Sequence, residues 1–286
     1  MREVLSSLNR KERIEVAKET LLISERGSYV AVDGVEVKFD PTPQTEFWST
    51  SKLVTLEKKL RKRVKENPNM QFEYMDESVM DTLFRLQSEG VDMARVGVLN
   101  FSNPRRAGDG FQQGSMAQEE TLAYCSNLVY TQRGSAYYKH NKKCQDNLFE
   151  DVLLSNGVVF FRTSDLLLTS HPIKAMVISA PAPIVKGLKG DALKWAKLLM
   201  IVRMQFALNV MYHHGCSVIA LGAFGCGYYG FDPDYIARTW ERLLLSRPCF
   251  DKVIMPVPRR RVGHTRNADA FEFWFEKQNS LRDDDP

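Results

Sequence analysis

The stretch from Val98 to Leu122 (VLNFSNPRRAGDGFQQGSMAQEETL) constrains the fold more than any other part of the chain. It overlaps Arg95 to Phe101 (RVGVLNF), which is apolar enough to form an inner strand of a covered sheet with both faces buried. Gly108, Gly110 and Gly114 follow in a polar segment, where glycine permits positive φ and a close approach of the backbone to a ligand. The pattern predicts a strand whose carboxyl end leads into a long binding loop.

A helix is predicted directly after this loop. Ser115 and Gln118 have the spacing of a capping box, which places the helix start at about Met116. Glu119 and Glu120 then fall in the first turn or just after it, at the mouth of the sheet. Successive helical residues point about 100 degrees apart, so the two carboxylates cannot have the same role.

The position of this glutamate pair has two opposing effects on its protonation. A helix N-terminus stabilises ionised carboxylates. A carboxyl that protonates a leaving oxygen must instead be held partly neutral, by burial or by a nearby anion. Two adjacent glutamates are more often a solvated acidic helix start, but the glycine loop in front of this pair favours a ligand site.

A second glycine-rich loop, Leu221 to Pro233 (LGAFGCGYYGFDP), follows another apolar segment. Its glycines would expose successive backbone N–H groups which, with a helix N-terminus after the loop, suit a diphosphate. Tyr228 and Tyr229 supply flat surfaces for a ribose or a base. A structural glycine turn remains the alternative. The loop has neither the GxxxxGK[ST] pattern nor the acidic residue expected of a dinucleotide oxidoreductase.

Strands and helices alternate over most of the chain, which predicts an α/β fold with a parallel or mixed sheet and helices on both faces. The two glycine loops should converge at the carboxyl ends of the strands. The predicted helices are Leu5–Glu25, Lys52–Glu66, Glu77–Ser88, Ala192–His213, Asp234–Leu245 and Asn267–Glu276. The predicted strands are a hairpin around Asp33-Gly34, Gly157–Thr163, Ala175–Ala180, Ser217–Leu221 and Lys252–Val257.

Two of these helices allow a prediction about their faces. Trp195, Leu198 and Val202 recur at helical spacing in Ala192–His213, together with Leu199, Phe206 and Val210, and predict one apolar face. Lys52–Glu66 is dense in Lys and Arg, which is more typical of a solvated face than of contact with an anionic polymer.

The first loop resembles the catalytic loop of microbial-type poly(ADP-ribose) glycohydrolases, a macrodomain family whose signature is three glycines, a spacer and Gln-Glu-Glu. Here Gly108-Asp109-Gly110 precedes a spacer of seven residues and Gln118-Glu119-Glu120, with Asp109 where the family has its middle glycine. The second loop resembles the family's diphosphate-binding loop. The strand VISAPAP (Val177–Pro183) and the pair Glu19-Thr20 also match, so the resemblance covers most of the chain.

This resemblance implies a macrodomain-like three-layer α/β/α sandwich with a mixed sheet and an N-terminal helical extension. It implies hydrolysis of the ribose–ribose bonds of poly(ADP-ribose), with Glu120 as general acid and base, Glu119 fixing a ribose hydroxyl, and neither a metal nor a cofactor. The ligand-binding residues that it implies, or that flank its loops, are Gln118, Asn103, Gly108, Asp109, Gly110, Phe224, Gly225, Cys226, Gly227, Tyr228 and Tyr229.

Two alternative functions stay open. One is a macrodomain that binds ADP-ribose without turning it over, which the carboxylate of Asp109 in the catalytic loop favours. The other is a hydrolase of a different ADP-ribosyl bond, on a protein, a nucleic acid or a small metabolite.

The remaining expectations concern organisation and partners. Residues 1–90 are expected to form an extension packed on a catalytic domain at 91–280, with a tail at 281–286. A mild net charge of +4 suits an anionic ligand without indicating sequence-specific nucleic-acid binding. No apolar run of membrane-spanning length, no secretory signal and five scattered cysteines predict an intracellular protein, cytoplasmic or nuclear. The expected partners are poly(ADP-ribose) or an ADP-ribosylated substrate and the product ADP-ribose, and the chain is expected to be a monomer.

Overall fold

The computed structural model describes residues 2–42, 44–144, 151–259 and 265–283. Its helices are α1 (Arg2–Ser7), α2 (Arg10–Arg26), α3 (Thr50–Leu60), α4 (Val79–Ser88), α5 (Gln118–Cys125), α6 (Leu128–Gln132), α7 (Ala136–Asn141), α8 (Gly190–His213), α9 (Pro233–Ser246) and α10 (Arg266–Asp283). Its strands are β1 (Ser28–Val30), β2 (Glu36–Lys38), β3 (Thr45–Trp48), β4 (Gln71–Met75), β5 (Val96–Phe101), β6 (Val152–Arg162), β7 (Leu168–Ala180), β8 (Val218–Ala220) and β9 (Lys252–Pro256).

A seven-stranded mixed sheet is the centre of the fold, with the strand order β3-β6-β7-β5-β8-β9-β4. The strands β7, β5, β8, β9 and β4 run parallel to one another, whereas β6 pairs antiparallel with both β7 and β3. The carboxyl ends of the five parallel strands therefore lie along one edge of the sheet, where ligands bind in open α/β folds.

Helices cover both faces of this sheet. Apolar residues of α3, α8, α9 and α10 form a core on one face, and those of α1, α2, α4, α5 and α6 form a core on the other. Alternate side chains of β7 pack on opposite faces of the sheet. Met176 and Ile178 belong to the first core, and Ala175 and Val177 belong to the second. The predicted macrodomain-like α/β/α sandwich with a mixed sheet is thus confirmed. No helix in the described ranges is long and apolar enough to cross a membrane.

The first 90 residues contribute more to the sheet than the sequence indicated. Their strands β3 and β4 form the two opposite edges of the seven-stranded sheet, pairing with β6 and β9. Neither strand was predicted, because each is short and carries polar residues on its partly exposed face. The hairpin around Asp33-Gly34 is present as β1 and β2. The division of the chain at residue 90 remains a prediction.

Three predicted helices have different bounds in the structure, and one of them, Lys52–Glu66, already ends at Leu60. The predicted helix Leu5–Glu25 is divided into α1 and α2 by Asn9, whose side chain accepts hydrogen bonds from the backbone of Lys11 and Glu12 and so caps α2. The last helix, predicted to end at Glu276, continues to Asp283, so the predicted tail 281–286 is partly helical and its residues 284–286 lie outside the described ranges.

The predicted apolar face of α8 was wrong in part. Trp195, Leu198 and Val202 are 70%, 54% and 37% exposed, whereas Phe206 and Val210 are buried. The apolar spacing covers more than one side of this long helix, and only one side packs on the sheet.

The N-terminal helix α2 packs on α5 through a buried hydrogen bond. The hydroxyl of Thr20 donates to the backbone oxygen of Tyr124 at 3.0 Å, and both residues are almost fully buried. Arg10 and Arg13 of the same helix donate to the backbone oxygens of Gln113 and Gly114 at 2.9 and 2.8 Å. The helix α2 thus holds the end of the first glycine loop through these hydrogen bonds.

We predict that Thr20→Val lowers the free energy of unfolding by about 1–3 kcal/mol, because it leaves a buried carbonyl without its hydrogen-bond donor. Urea denaturation measures the loss. Thr55→Val is the matched control, because the Thr55 hydroxyl also bonds a helical carbonyl but on an exposed face, and it should change stability by less than about 0.5 kcal/mol. Equal losses in the two variants would contradict a bracing role for Thr20.

Candidate active site

The helix α5 begins at the carboxyl end of β5 and is tied to it by Gln118. The side-chain oxygen of Gln118 accepts a hydrogen bond from the backbone of Phe101 at 2.9 Å, and its amide nitrogen donates to the oxygen of Leu99 at 2.8 Å. Gln118 was predicted to bind the ligand. Both ends of its amide are hydrogen-bonded to the strand, so Gln118 fixes the helix to the sheet, and its contact with a ligand stays a prediction.

The predicted capping box was wrong in its position. The helix starts at Gln118, with Ala117 as the capping residue, and Ser115 remains in the loop, where its backbone N–H donates to the oxygen of Gly110 at 3.1 Å. Glu120 occupies the third helical position and accepts a hydrogen bond from the backbone N–H of Ala117 at 2.8 Å. A glutamate in the first turn thus accepts a hydrogen bond from the backbone N–H of the capping residue. The second hydrogen bond of a capping box is absent, because the alanine side chain has no acceptor.

Glu119 lies beneath the first glycine loop and is 2% exposed. One carboxylate oxygen accepts a hydrogen bond from the backbone N–H of Asn103 at 2.7 Å, and the other accepts from that of Gly108 at 3.1 Å. This single side chain therefore joins the two ends of the segment between residues 103 and 108.

Glu120, also 2% exposed, holds the next part of the loop. Besides its bond to Ala117, it accepts a hydrogen bond from the backbone N–H of Gly110 at 3.1 Å. Both oxygens of this carboxylate are thus fixed by backbone groups, and its orientation is set before any ligand binds.

Burial raises the pKa of both glutamates. For Glu119 it raises the pKa well above the ordinary value, and the neighbouring charges of Glu120 and Asp109 act in the same direction. For Glu120 burial is again the main cause of a raised pKa, with Asp109 adding to it. Backbone hydrogen bonds oppose the shift in both residues without cancelling it. The site therefore favours a protonated carboxyl, as a proton donor requires.

The loop requires glycine at two of its positions. Gly108 has a φ of +68°, and a Cβ there would lie 2.4 Å from Cγ2 of Val129. Gly110 has an ordinary negative φ, but a Cβ would lie 2.1 Å from Oγ of Ser115. The two glycines thus permit close packing beside the glutamates.

Asp109, which replaces the family's middle glycine, adopts positive φ (37°), a conformation that Asp tolerates better than most residues. One oxygen of its carboxylate accepts hydrogen bonds from the side chains of Asn103 at 2.9 Å and Arg106 at 3.2 Å. Asn103 in turn accepts from the backbone of Arg105 and Arg106. The loop thus has its own side-chain network around the substituted position.

The second glycine loop lies at the carboxyl end of β8. The indole of Trp240 donates to the oxygen of Gly222 at 3.2 Å and fixes the start of the loop. Phe224 is fully buried against Phe101, with ring centroids 5.3 Å apart, so its side chain supports the loop, and its predicted contact with a ligand stays a prediction. Burial raises the pKa of the half-buried thiol of Cys226, which argues against a nucleophilic role.

The tip of this loop contains backbone N–H groups for which the described structure shows no acceptor. Among the described residues, no acceptor is found for the backbone N–H groups of Gly225, Gly227, Tyr228 and Tyr229. Tyr228 is 75% exposed, with Nζ of Lys186 5.1 Å from its ring centroid. Such a row of donors is suited to an anion.

Tyr229 of the second loop lies close enough to the acidic residues of the first loop for their charges to change its pKa. Burial raises its pKa to about 12, and the charges of Glu119 and Asp109 act in the same direction. Arg203 of α8, fully buried, has the opposite effect on Tyr229. Sequence reasoning missed Arg203, although a charged residue within an apolar helix was a readable signal. It also missed Arg10 and Arg13, which lie about a hundred positions before the loop that they hold.

No group of three or more His, Cys, Asp or Glu in the described ranges is arranged to hold a metal ion. The expectation that the reaction needs no metal or cofactor remains a prediction.

A mixed sheet between helical layers, with paired acids and a glycine loop at the carboxyl ends of its strands, places the molecule among the macrodomain-like proteins. The family model of the microbial-type PARG catalytic domain, where PARG denotes poly(ADP-ribose) glycohydrolase, matches residues 17–163, more than half of the chain. The chain therefore belongs to the microbial-type PARG family.

Solved structures agree with this assignment. The poly(ADP-ribose) glycohydrolase from Thermomonospora curvata superposes with a TM-score of 0.85 and 29% sequence identity, covering 93% of this chain and all of that one. The same enzyme bound to the inhibitor ADP-HPD gives a TM-score of 0.83 at 28% identity, with the same coverage. The Deinococcus radiodurans enzyme in complex with ADP-ribose gives 0.73 at 26% identity, covering 82% of this chain and 94% of that one. No curated protein matches the chain.

We predict that Gly108→Ala destabilises the fold by more than positive φ alone explains. Gly134 has a φ of +74°, and a Cβ added there would have no atom within 4 Å, so Gly134→Ala should cost only about 1–2 kcal/mol for the backbone conformation. Gly108→Ala adds the contact with Val129 and should cost a further 1–3 kcal/mol, roughly the range for overpacking.

Denaturant unfolding of the two variants measures the difference. Combining Gly108→Ala with Val129→Ala should recover part of the additional cost, because the clash is removed while the strained φ remains. Equal costs for the two glycine substitutions would contradict the close packing of the loop.

Proposed function

We propose that this protein is a poly(ADP-ribose) glycohydrolase, which hydrolyses ribose–ribose O-glycosidic bonds and releases ADP-ribose. The observation that carries the proposal is the buried glutamate pair, held by backbone N–H groups of the glycine loop at the carboxyl end of β5. Family membership and the similarity to structures of poly(ADP-ribose) glycohydrolases support it.

Glu120 is assigned as the general acid. Its raised pKa favours the protonated form, from which it gives a proton to the leaving ribose oxygen as the glycosidic C–O bond breaks. Positive charge develops on the ribose that stays behind, as in other glycosidases. The carboxylate of Glu120 then accepts a proton from the attacking water, whose oxygen bonds to the anomeric carbon. The carboxyl is thereby restored to its starting protonation state.

Glu119 is assigned a positioning role with one ligand contact. Its two hydrogen bonds hold the loop at Asn103 and Gly108, and a ribose hydroxyl can donate to the lone pairs that remain on its oxygens. In the same loop, the side chain of Asn103 donates a hydrogen bond to the carboxylate of Asp109. A rigid loop of this kind keeps the bond to be broken aligned with Glu120.

The second loop is assigned to the diphosphate. The open N–H groups of its tip favour an anion, and Tyr229 is close enough to the acids to be influenced by their charge. The ring of Tyr229 would lie against the reacting ribose, and the exposed Tyr228 would cover the ligand from outside. ADP-ribose is the expected product, consistent with its presence in the Deinococcus radiodurans complex. A monomeric, intracellular protein that binds no specific nucleic-acid sequence remains our expectation.

We predict that Glu120→Gln lowers ADP-ribose release from poly(ADP-ribose) by at least about 10²–10⁴-fold, the usual contribution of a general acid. ADP-ribose affinity, measured by calorimetry, should stay within roughly tenfold, because Gln keeps the size and one acceptor of the side chain. Glu12→Gln is the matched control: Glu12 also occupies the third position of its helix and accepts a hydrogen bond from the capping residue, but it is exposed. It should leave turnover unchanged.

Surviving turnover in Glu120→Gln would remove Glu120 from the acid role. A wild-type protein that binds ADP-ribose but releases none from polymer would instead be a binding module. In that case Asp109 would be the first residue to substitute, because its carboxylate stands where the family has a glycine.

We further predict that Asp109→Asn shifts the alkaline limb of the pH–rate profile to lower pH. The charge of Asp109 raises the pKa of Glu120, so its removal lets Glu120 ionise at lower pH and lose its proton-donating form earlier. Asn keeps the size of the side chain and also tolerates positive φ. Steady-state rates over a pH series measure the limb, with Asp33→Asn at the tip of the remote hairpin as control. An unchanged or alkaline-shifted limb would contradict the coupling.

A further inference from the structure

A cavity of about 240 Å³ lies on the outer side of the first glycine loop. The loop contributes Arg105, Arg106, Ala107 and Asp109 to its lining, and α6, α7 and the residues that directly follow these helices contribute most of the rest. The remaining lining residues that matter for its chemistry are Arg133 and Lys142. Its volume is below the roughly 300–1,000 Å³ of sites that enclose a drug-sized ligand, so the cavity suits one charged group better than a whole nucleotide.

The lining is strongly cationic. Arg105, Arg106, Arg133 and Lys142 carry four positive charges, whereas Asp109 supplies the one carboxylate among the lining residues. Asp109 is already bonded to Asn103 and Arg106. Arg133 and Lys142 are exposed residues of the lining, and no carboxylate among the described residues forms a salt bridge with either of them. Arginine and lysine in a concave setting favour a phosphate-bearing ligand.

The cavity and the glutamate pair share the loop as a common wall. Gly108, whose N–H donates to Glu119, packs directly against Val129, and Val129 lines the cavity. Asp109 also lines the cavity, and its charge raises the pKa of both Glu119 and Glu120. The second loop, with its open N–H groups, supplies a separate anion site. A substrate that carries two diphosphates, one on each side of the bond to be broken, would therefore meet positive charge or N–H donors at both.

We propose that this cavity is a subsite for the diphosphate of the leaving unit, and that it makes poly(ADP-ribose) a better substrate than an ADP-ribosyl group on a neutral acceptor. The inference rests on the proposed function. In a ribose–ribose bond the leaving group is itself an ADP-ribose unit and carries a diphosphate, whereas a neutral leaving group carries none. The cationic side chains of the lining would thus favour the polymer, because its leaving ADP-ribose unit carries a negatively charged diphosphate.

The test compares two substrates that differ in the charge of the leaving group. The first is purified poly(ADP-ribose), and the second is an ADP-ribosyl O-glycoside with an uncharged aryl leaving group. The double variant Arg133→Ala/Lys142→Ala should lower kcat/KM on polymer by roughly tenfold or more, because it removes two charge-assisted contacts. Its kcat/KM on the aryl glycoside should stay within about twofold of wild type.

A matched control removes the same charge from outside the cavity. Lys139 and Lys143 are exposed, lie on or next to α7 and do not line the cavity. The double variant Lys139→Ala/Lys143→Ala should therefore leave kcat/KM unchanged on both substrates. The conservative variant Arg133→Lys/Lys142→Arg should keep most of the activity on polymer.

A binding measurement separates this inference from the proposed function. In a Glu120→Gln background, calorimetry should give tighter binding for a dimer of ADP-ribose joined by the ribose–ribose bond than for ADP-ribose itself. Arg133→Ala/Lys142→Ala should abolish that difference. A dimer that binds no tighter than the monomer, or equal losses of kcat/KM on polymer and aryl glycoside, would overturn the subsite. A wild type that hydrolyses neither substrate would overturn the proposed function, and the binding comparison would still decide the subsite.

Discussion

The hydrogen bonds between two buried glutamates and the loop that precedes them are the interaction on which the site depends. Four backbone N–H groups, from Asn103, Gly108, Gly110 and Ala117, donate to the carboxylates of Glu119 and Glu120. Burying two adjacent carboxyls is costly, and these hydrogen bonds offset part of that cost. The same contacts shape the glycine loop, so the residues to which we assign the chemistry also build the loop beside them. Each glutamate is therefore a structural residue in addition to its proposed role.

The remainder of the fold brings this pair to the carboxyl ends of the parallel strands. Because β5, β7 and β8 are parallel and adjacent, their carboxyl ends place the first loop, the segment after Ala180 and the second loop side by side. The N-terminal helix α2 then holds the end of the first loop through Arg10 and Arg13. Residues distant in sequence thus determine a loop whose own sequence is mostly polar and glycine-rich. The described part of the chain shows why the N-terminal segment matters to the site, since it supplies both loop contacts and edge strands.

Sequence patterns were sufficient for the central architecture and for the two loops, because these depend on signals that are local in the chain. Apolar runs mark the inner strands, and glycine spacing marks the loops at their ends. The edge strands β3 and β4 were missed because an edge needs neither a continuous apolar run nor regular alternation. The contacts of Gln118 and Phe224 with β5 were not predicted either, because they join residues that only the tertiary fold brings together. The capping function of Glu120 could not be read because Ser115 offered a better local match.

Asp109 illustrates how a departure from a family pattern can fit the chemistry of a site. A carboxylate in a loop beside a diphosphate-bearing ligand would be unfavourable if its charge faced the ligand alone. Here Asn103 and Arg106 bind that carboxylate, and its residual charge acts inwards on the glutamate pair. A negative neighbour disfavours ionisation of Glu120, and so keeps the proton that the leaving oxygen needs. Four cationic side chains line the cavity beside the same loop, together with Asp109. One substituted position therefore links the pKa of Glu120 to the electrostatics of this cavity.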